Sequence, residues 1–218
     1  GSVTKTFTAT AVLQLAGDGR FGLDDPIGRY VDGVPGGESI TVRQLAGMRS
    51  GLADYTRSDG FQAAVAANPR ADFTPRQLLD WAFALPPVSP PDAQVEYCNT
   101  NYILLGLLVE QVTGASFGDY LSEAIFAPLG MAHTSFPTGT QFPEPHARGY
   151  TEPVDGTGPP VDASGWSAGL TWAAGAMIST LEDMRIWLPV LASGSLLKPE
   201  LQAERLHTRP EPGTPTDF

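Results

Sequence analysis

The chain has 218 residues, 42% hydrophobic and 17% charged, with 13 Lys+Arg against 24 Asp+Glu for a formal net charge of −11. That apolar fraction supports a sizeable core and excludes a wholly disordered chain, and the length allows one or two domains. The Arg and Lys residues stand singly, with no basic stripe and no interleaved aromatics, so the electrostatic footprint of nucleic-acid binding is missing.

Gly and Pro number 24 and 20, about a fifth of the chain against an average of roughly 12%, so short elements joined by many loops are expected. Val3, Phe7, Ala11 and Leu15 form a helical stripe over Val3 to Leu15, stopped by Gly17-Asp18-Gly19. Thr41 to Met48 reads as a short helix. Thr74-Pro75-Arg76-Gln77 is a capping box with Pro at the first helical position, opening a helix through Phe83. Leu85 to Pro91 holds four prolines and reads as an extended loop. Asn101 to Val112 is a strongly apolar helix ended by Gly114, and Ser116 caps another that runs to about Phe126, before Pro128. Residues 136 to 165, rich in Pro, Gly and Asp, read as a long irregular surface segment. Ser179-Thr180-Leu181-Glu182 is a second capping box, starting a helix to Ala192 that Pro189 bends or shortens. Pro199 opens a last helix to about Leu206, and Pro210 to Thr216 reads as a Pro-rich linker.

Ile40 to Val42 and Thr134 to Phe136 are too short to make a sheet alone. Six or seven helices with little strand, and no internal repeat, fit the helical region of a larger α+β protein. Gly1 leads straight into Ser2-Val3-Thr4-Lys5 with no signal-peptide pattern, so export is not readable and a fragment is expected. The longest apolar run, Tyr102 to Val109, falls far short of the roughly 20 residues of a membrane helix. Cys98 is the only cysteine, so no intramolecular disulfide can form. His133, His146 and His207 lack zinc spacings, and no metal or cofactor is implied.

Two short patterns carry chemistry. In Ser2-Val3-Thr4-Lys5 on a helix, the i,i+3 spacing places Lys5 one turn from the Ser2 hydroxyl, where a neutral amine can take its proton. The helix N-terminus adds backbone N–H groups that stabilise an alkoxide or an oxyanion, and desolvation is what makes a buried amine a base near neutral pH. The competing reading makes Ser2 a helix cap and Lys5 a solvated side chain. Ser195-Leu196-Leu197-Lys198 repeats the spacing, but between Gly194 and Pro199, where a helix does not hold both side chains on one face. The second pattern is Tyr97-Cys98-Asn99, in a loop before an apolar helix. Extended alternation sends Tyr97 and Asn99 to one side, where a phenol near Lys5 can share proton transfer and an amide can hold a substrate carbonyl. Asn99 as an N-cap and Tyr97 as a half-buried core residue is an equal alternative. Cys98 reads as a small buried filler, and Trp166, Trp172 and Trp187 as packing, with Trp172 near Gly175 placed to line a site.

With these residues in view, the chain resembles the serine β-lactamase and penicillin-binding-protein superfamily, in particular D-alanyl-D-alanine carboxypeptidases and class C-like β-lactamases. The resemblance runs in order through Ser2-Val3-Thr4-Lys5, Leu23-Asp24-Asp25-Pro26-Ile27, Ile40-Thr41-Val42-Arg43-Gln44-Leu45, Arg49-Ser50-Gly51-Leu52, Tyr97-Cys98-Asn99-Thr100-Asn101-Tyr102 and Ala174-Gly175-Ala176-Met177-Ile178-Ser179-Thr180. It implies a β-lactamase/transpeptidase-like α+β fold of which residues 1–218 form a partial domain, mainly the helical region. It further implies Ser2 as acylated nucleophile, Lys5 as its base partner, Tyr97 as proton relay and Asn99 as substrate-amide contact.

The family's third motif, K-T-G or H-x-G on a strand that supplies a second oxyanion N–H, is not found. His207-Thr208-Arg209 lacks the glycine, and the strands that should precede Ser2 are missing too. A small-molecule or peptide substrate and an extracytoplasmic or secreted location follow from the resemblance, whereas the oligomeric state does not. An esterase of the same fold and a non-catalytic binding or sensor module stay open. The absence of a G-x-S-x-G elbow argues against an unrelated Ser-His-Asp hydrolase.

Overall fold

A computed structural model describes residues 1–153 and 156–207; the Pro-rich stretch Pro210 to Thr216 lies outside the described residues. In chain order the helices are α1 (Thr4–Gly17), α2 (Val42–Ala46), α3 (Asp59–Ala67), α4 (Pro75–Phe83), α5 (Asn99–Thr113), α6 (Phe117–Leu121), α7 (Ala127–Leu129), α8 (Leu181–Ser193) and α9 (Pro199–Leu206). The strands among the described residues are β1 (Tyr150–Thr151) and β2 (Val161–Asp162), paired antiparallel with Tyr150 opposite Asp162. The described residues of segment 136–165 are thus irregular apart from this two-residue pair. The two stretches too short for a sheet make isolated bridges only, Pro26 to Thr41 and Ser135 to Ile178.

The helix α5 is the wall against which α1, α2, α4 and α6 pack. Thr100 to Gly106, Leu108 and Val109 are all buried, the pattern of a helix surrounded by protein rather than one with a solvent face. Phe7 of α1 stacks on Trp187 of α8 at 3.9 Å between centroids and meets Phe126 edge-on at 5.9 Å. Trp187, fully buried, donates its indole N–H to Thr6 Oγ1, so its polar atom is satisfied.

Local chemistry accounts for most element ends. Thr41 and Thr74 close capping boxes with Gln44 and Gln77, and Gly114 ends α5 in the left-handed region at φ 73°. Three expectations are corrected, and one helix was not expected. The helix α1 starts at Thr4, because Ser2 and Val3 form the preceding turn and Ser2 does not cap it. The cap of α8 is Thr180, which accepts from Asp183 N, and the helix runs through Pro189 to Ser193. Pro189 faces solvent, where water can serve the carbonyl left without a partner. Helical structure also continues past Phe126 through Pro128, by way of a widened π-turn at Ser122–Phe126 that accommodates the missing proline N–H. Finally, α3 has no sequence signal, since none of its residues is buried.

One close approach sets up the site. A Cβ on Gly106 would lie 2.5 Å from Ala173 Cβ and 2.6 Å from the Trp172 ring, so glycine lets the turn Trp172–Ala174 press onto α5. Trp172 is held at φ 34°, a strained value for a bulky residue, with its ring packed near Phe117 and Phe136. Gly106→Val should therefore lower stability by roughly 1–3 kcal/mol through overpacking. Equilibrium denaturant unfolding checks this, and an unchanged midpoint would show that the turn tolerates displacement.

Candidate active site

Three elements meet at the N-terminus of α1. Ser2 sits in the turn before it, and the amides of Thr4, Lys5 and Thr6 close that turn on Gly1, Ser2 and Val3. Tyr97 comes from the extended segment before α5, Asn99 is the first residue of α5, and Ala174 ends the turn that Gly106 admits. Three bonds fasten this turn and its sequel to α1: Thr8 Oγ1 to Ala173 O at 2.7 Å, Lys5 Nζ to Ala174 O at 2.6 Å, and Met177 N to Thr4 Oγ1 at 3.1 Å.

All four residues singled out in the sequence are brought together. Ser2 Oγ lies 2.6 Å from Tyr97 Oη and 3.1 Å from Lys5 Nζ, while Lys5 Nζ also donates to Asn99 Oδ1 at 2.8 Å. Ser2 and Tyr97 are exposed, Asn99 is half-buried, and Lys5 is only 6% exposed beneath them. The reading of Lys5 as a solvated side chain is thereby excluded, as is that of Ser2 as a helix cap. Nor is Asn99 an N-cap: Cys98 holds that position without a side-chain bond, because the Asn99 amide N–H is accepted by the Asp54 carboxylate from outside the helix. Lys5 Nζ also lies 4.9 Å from the Tyr97 ring centroid and 5.5 Å from that of Tyr102.

Donor and acceptor counts say what this cluster can do. The Ala174 carbonyl and Asn99 Oδ1 can only accept, so they take two of the N–H bonds of Lys5. The third direction points at Ser2 Oγ, which can either accept from an ammonium or donate to an amine lone pair. Both protonation states of Lys5 therefore keep every bond, and Tyr97 Oη offers Ser2 a second proton path.

Two further groups at the site were not read from the sequence, the Ala174 backbone carbonyl and the Asp54 carboxylate. The first has no side-chain signature, although it lies in a stretch noted for its resemblance. The second sits in Ala53-Asp54-Tyr55, with no spacing that ties it to Asn99. The second Ser-x-x-Lys pattern is accounted for differently: Lys198 donates to the Gly17 carbonyl at the C-terminal end of α1, a favourable place for a cation. A cavity of about 540 Å³ lined in part by Val12, Leu13, Arg43 and Arg205 is separate from Ser2, Lys5, Tyr97 and Asn99.

Comparison with known proteins adds the family context. The family model Beta-lactamase matches residues 1–218. Protein flp of Staphylococcus aureus (strain N315) is 33% identical over 193 residues, 86% of this chain and 37% of its own length. Penicillin-binding protein 4 of Amycolatopsis lactamdurans is 34% identical over 140 residues, 60% of this chain and 34% of its own. The chain thus spans about a third of the length of these curated relatives. Among solved structures, a D-stereospecific amidohydrolase from Streptomyces sp. superposes with a TM-score of 0.90 at 37% identity, covering 96% of this chain and 64% of that one.

Cys98 lies between Tyr97 and Asn99 yet points away from the site, its thiol donating to Leu52 O at 3.4 Å. Burial, and then the Asp54 charge, push its pKa up to about 11, so the thiolate that reacts with electrophiles is scarce at neutral pH. Native protein should resist iodoacetamide at pH 8 and react once unfolded in denaturant. Stoichiometric labelling of the native state within minutes would contradict this.

Proposed function

The chain belongs to the β-lactamase family, a family of serine hydrolases, and from that premise we propose that it is an acyl-transfer hydrolase that opens D-alanyl-D-alanine peptides or β-lactams through an acyl-enzyme on Ser2. The observation that carries this reading is Ser2 Oγ held between Lys5 Nζ at 3.1 Å and Tyr97 Oη at 2.6 Å. The likeness to a D-stereospecific amidohydrolase supports an amide of a D-configured substrate, and that to a penicillin-binding protein supports β-lactams.

In this reading neutral Lys5 accepts the Ser2 proton as Oγ bonds to the substrate carbonyl carbon and the carbonyl electron pair moves to oxygen. The Ser2 backbone N–H, at the open end of the α1 turn, donates to that oxyanion. On collapse the C–N bond breaks, Tyr97 passes its proton to the leaving nitrogen, and the Lys5 ammonium, which holds the former Ser2 proton, reprotonates the Tyr97 phenolate. Water then attacks the ester, losing its proton to the same pair, and Ser2 leaves as the hydroxyl. The second N–H of Asn99 Nδ2 is the donor for a substrate amide carbonyl.

The same proposal makes residues 1–218 the helical region of a longer β-lactamase-like domain, with the third motif and a second oxyanion donor outside them. The 64% coverage of the amidohydrolase chain supports this. An extracytoplasmic place of work goes with that reading.

Intact mass before and after incubation with a β-lactam tests the chemistry. A drug-sized increment is expected, or consumption of the drug where deacylation is fast. Ser2→Ala should abolish both, and persistence of labelling in that variant would sink the assignment. Lys5→Ala should slow acylation roughly 10²- to 10⁴-fold. Turnover of short-chain esters without β-lactam reaction would favour the esterase, and no reaction with drug, ester or D-amino-acid amide would favour a non-catalytic module.

A further inference from the structure

Asp54 is 6% exposed, and its carboxylate faces four donors. Oδ1 accepts from Thr56 N at 3.0 Å and Thr56 Oγ1 at 2.9 Å, while Oδ2 accepts from Asn99 N and Asn99 Nδ2, both at 2.9 Å. It makes no bond to Ser2, Lys5 or Tyr97. Its reach into the site is through one side chain, the Asn99 amide, whose other end meets Lys5.

A primary amide can turn over, exchanging its oxygen for its nitrogen with little change of shape. At Asn99 the two neighbours forbid this. Lys5 Nζ turns an N–H to this amide in either protonation state, since its lone pair when neutral is taken by Ser2 Oγ, so it calls for the oxygen; a carboxylate has only acceptors, so it calls for the nitrogen. With the amide turned over, N–H groups would face the Lys5 N–H and two oxygens would face each other, leaving both ends unsatisfied. From this arrangement we infer that Asp54 is a positioning residue. It locks the Asn99 amide so that Oδ1 holds Lys5 against Ser2 and the remaining N–H of Nδ2 is aimed at the substrate. This rests on the proposed role of Ser2, Lys5 and Asn99.

The backbone here is not held by Asp54 alone. Tyr55 N donates to Thr100 Oγ1 at 3.0 Å, Thr100 Oγ1 to Ala53 O at 2.8 Å, and Ser50 Oγ to Asn101 Oδ1 at 2.6 Å. These bonds fasten segment 50–55 to the start of α5 independently of the carboxylate, so an isosteric change at position 54 perturbs the amide more than the fold. In Asp54→Asn a single oxygen must serve the donors that two served before, and the amino group it gains competes for Asn99 Oδ1.

A double-mutant cycle reads the coupling. Ser2 acylation by a fluorescent penicillin is followed in the full chain and in Asp54→Asn, Asn99→Ala and the double variant, with thermal melting of each. Asp54→Asn should slow acylation roughly 10- to 100-fold, as expected for losing a bond to a charged group. In the Asn99→Ala background the same change should cost no more than about two-fold. An unchanged rate in Asp54→Asn, or full additivity in the double variant, overturns the inference, since a merely structural role predicts additive losses.

A readout without catalysis separates this inference from the functional proposal and needs no folded variant. In the unsubstituted protein, the NMR signals of the Asn99 side-chain amide should show one proton shifted downfield and protected from exchange. A pair exchanging like a free amide overturns the inference, whereas a protected pair without penicillin labelling retires the β-lactam reading and keeps Asp54 as the lock.

Discussion

A lysine amine buried among neutral acceptors is the constraint on which the rest of the structure depends. Removing an ammonium from water costs several kcal/mol or more, and Lys5 meets that cost with the Ala174 carbonyl, the Asn99 amide oxygen and the Ser2 hydroxyl. None of these three carries a charge. The nearest negative group in the network, Asp54, acts across the Asn99 amide rather than on the amine. The arrangement therefore holds Lys5 Nζ in place 3.1 Å from Ser2 Oγ.

Satisfying that one side chain demands precision from three distant pieces of chain. The turn before α1 must present Ser2 from above, α5 must begin at Asn99, and the turn at Trp172–Ala174 must come close enough for its last carbonyl to be reached. The last demand explains a glycine in the middle of a buried helix: any side chain at position 106 would hold the turn away. It also explains why Trp172 tolerates a positive φ, since its ring is pinned among Phe117, Phe136 and Gly106. Strain and missing volume in the second layer are what bring a backbone oxygen to the amine.

Exposure is graded to match. Ser2 and Tyr97 lie open at the surface, Asn99 half-buried, and Lys5 and Asp54 beneath them. Ser2 and Tyr97 are thus accessible, whereas the polar side chains bonded beneath them are shielded, where hydrogen bonds are electrostatically stronger. Cys98, interleaved with Tyr97 and Asn99, faces the opposite way and stays a thiol, because consecutive residues of an extended segment alternate sides.

What the sequence determined by itself is what acts within a turn or two of helix. The caps at Thr74 and Ser116 and the glycine stop after α5 were legible, as were Phe7, Ala11 and Leu15 of the expected α1 stripe but not Val3, which is exposed ahead of the helix; so was the pairing of Ser2 with Lys5, because an i,i+3 spacing is a local geometric fact. Tyr97 and Asn99 were legible as a pair facing one way, but their arrival at Lys5 was known only through resemblance, since nothing local joins positions 94 residues apart. The helix α3 was not legible because it buries no residue fully and only half-buries Phe61 against Tyr55, Phe73 and Trp81, and the true start of α1 because Ser2 pairs with Tyr97 and Lys5 rather than with a helix amide. Only the tertiary structure chose the Ala174 carbonyl, one of many identical backbone groups, as the acceptor for Lys5, and Asp54, one of many acids, as the partner of Asn99. Chemical type is written in the sequence; which of many equivalent groups is brought within 3 Å of a buried amine or amide is decided by packing.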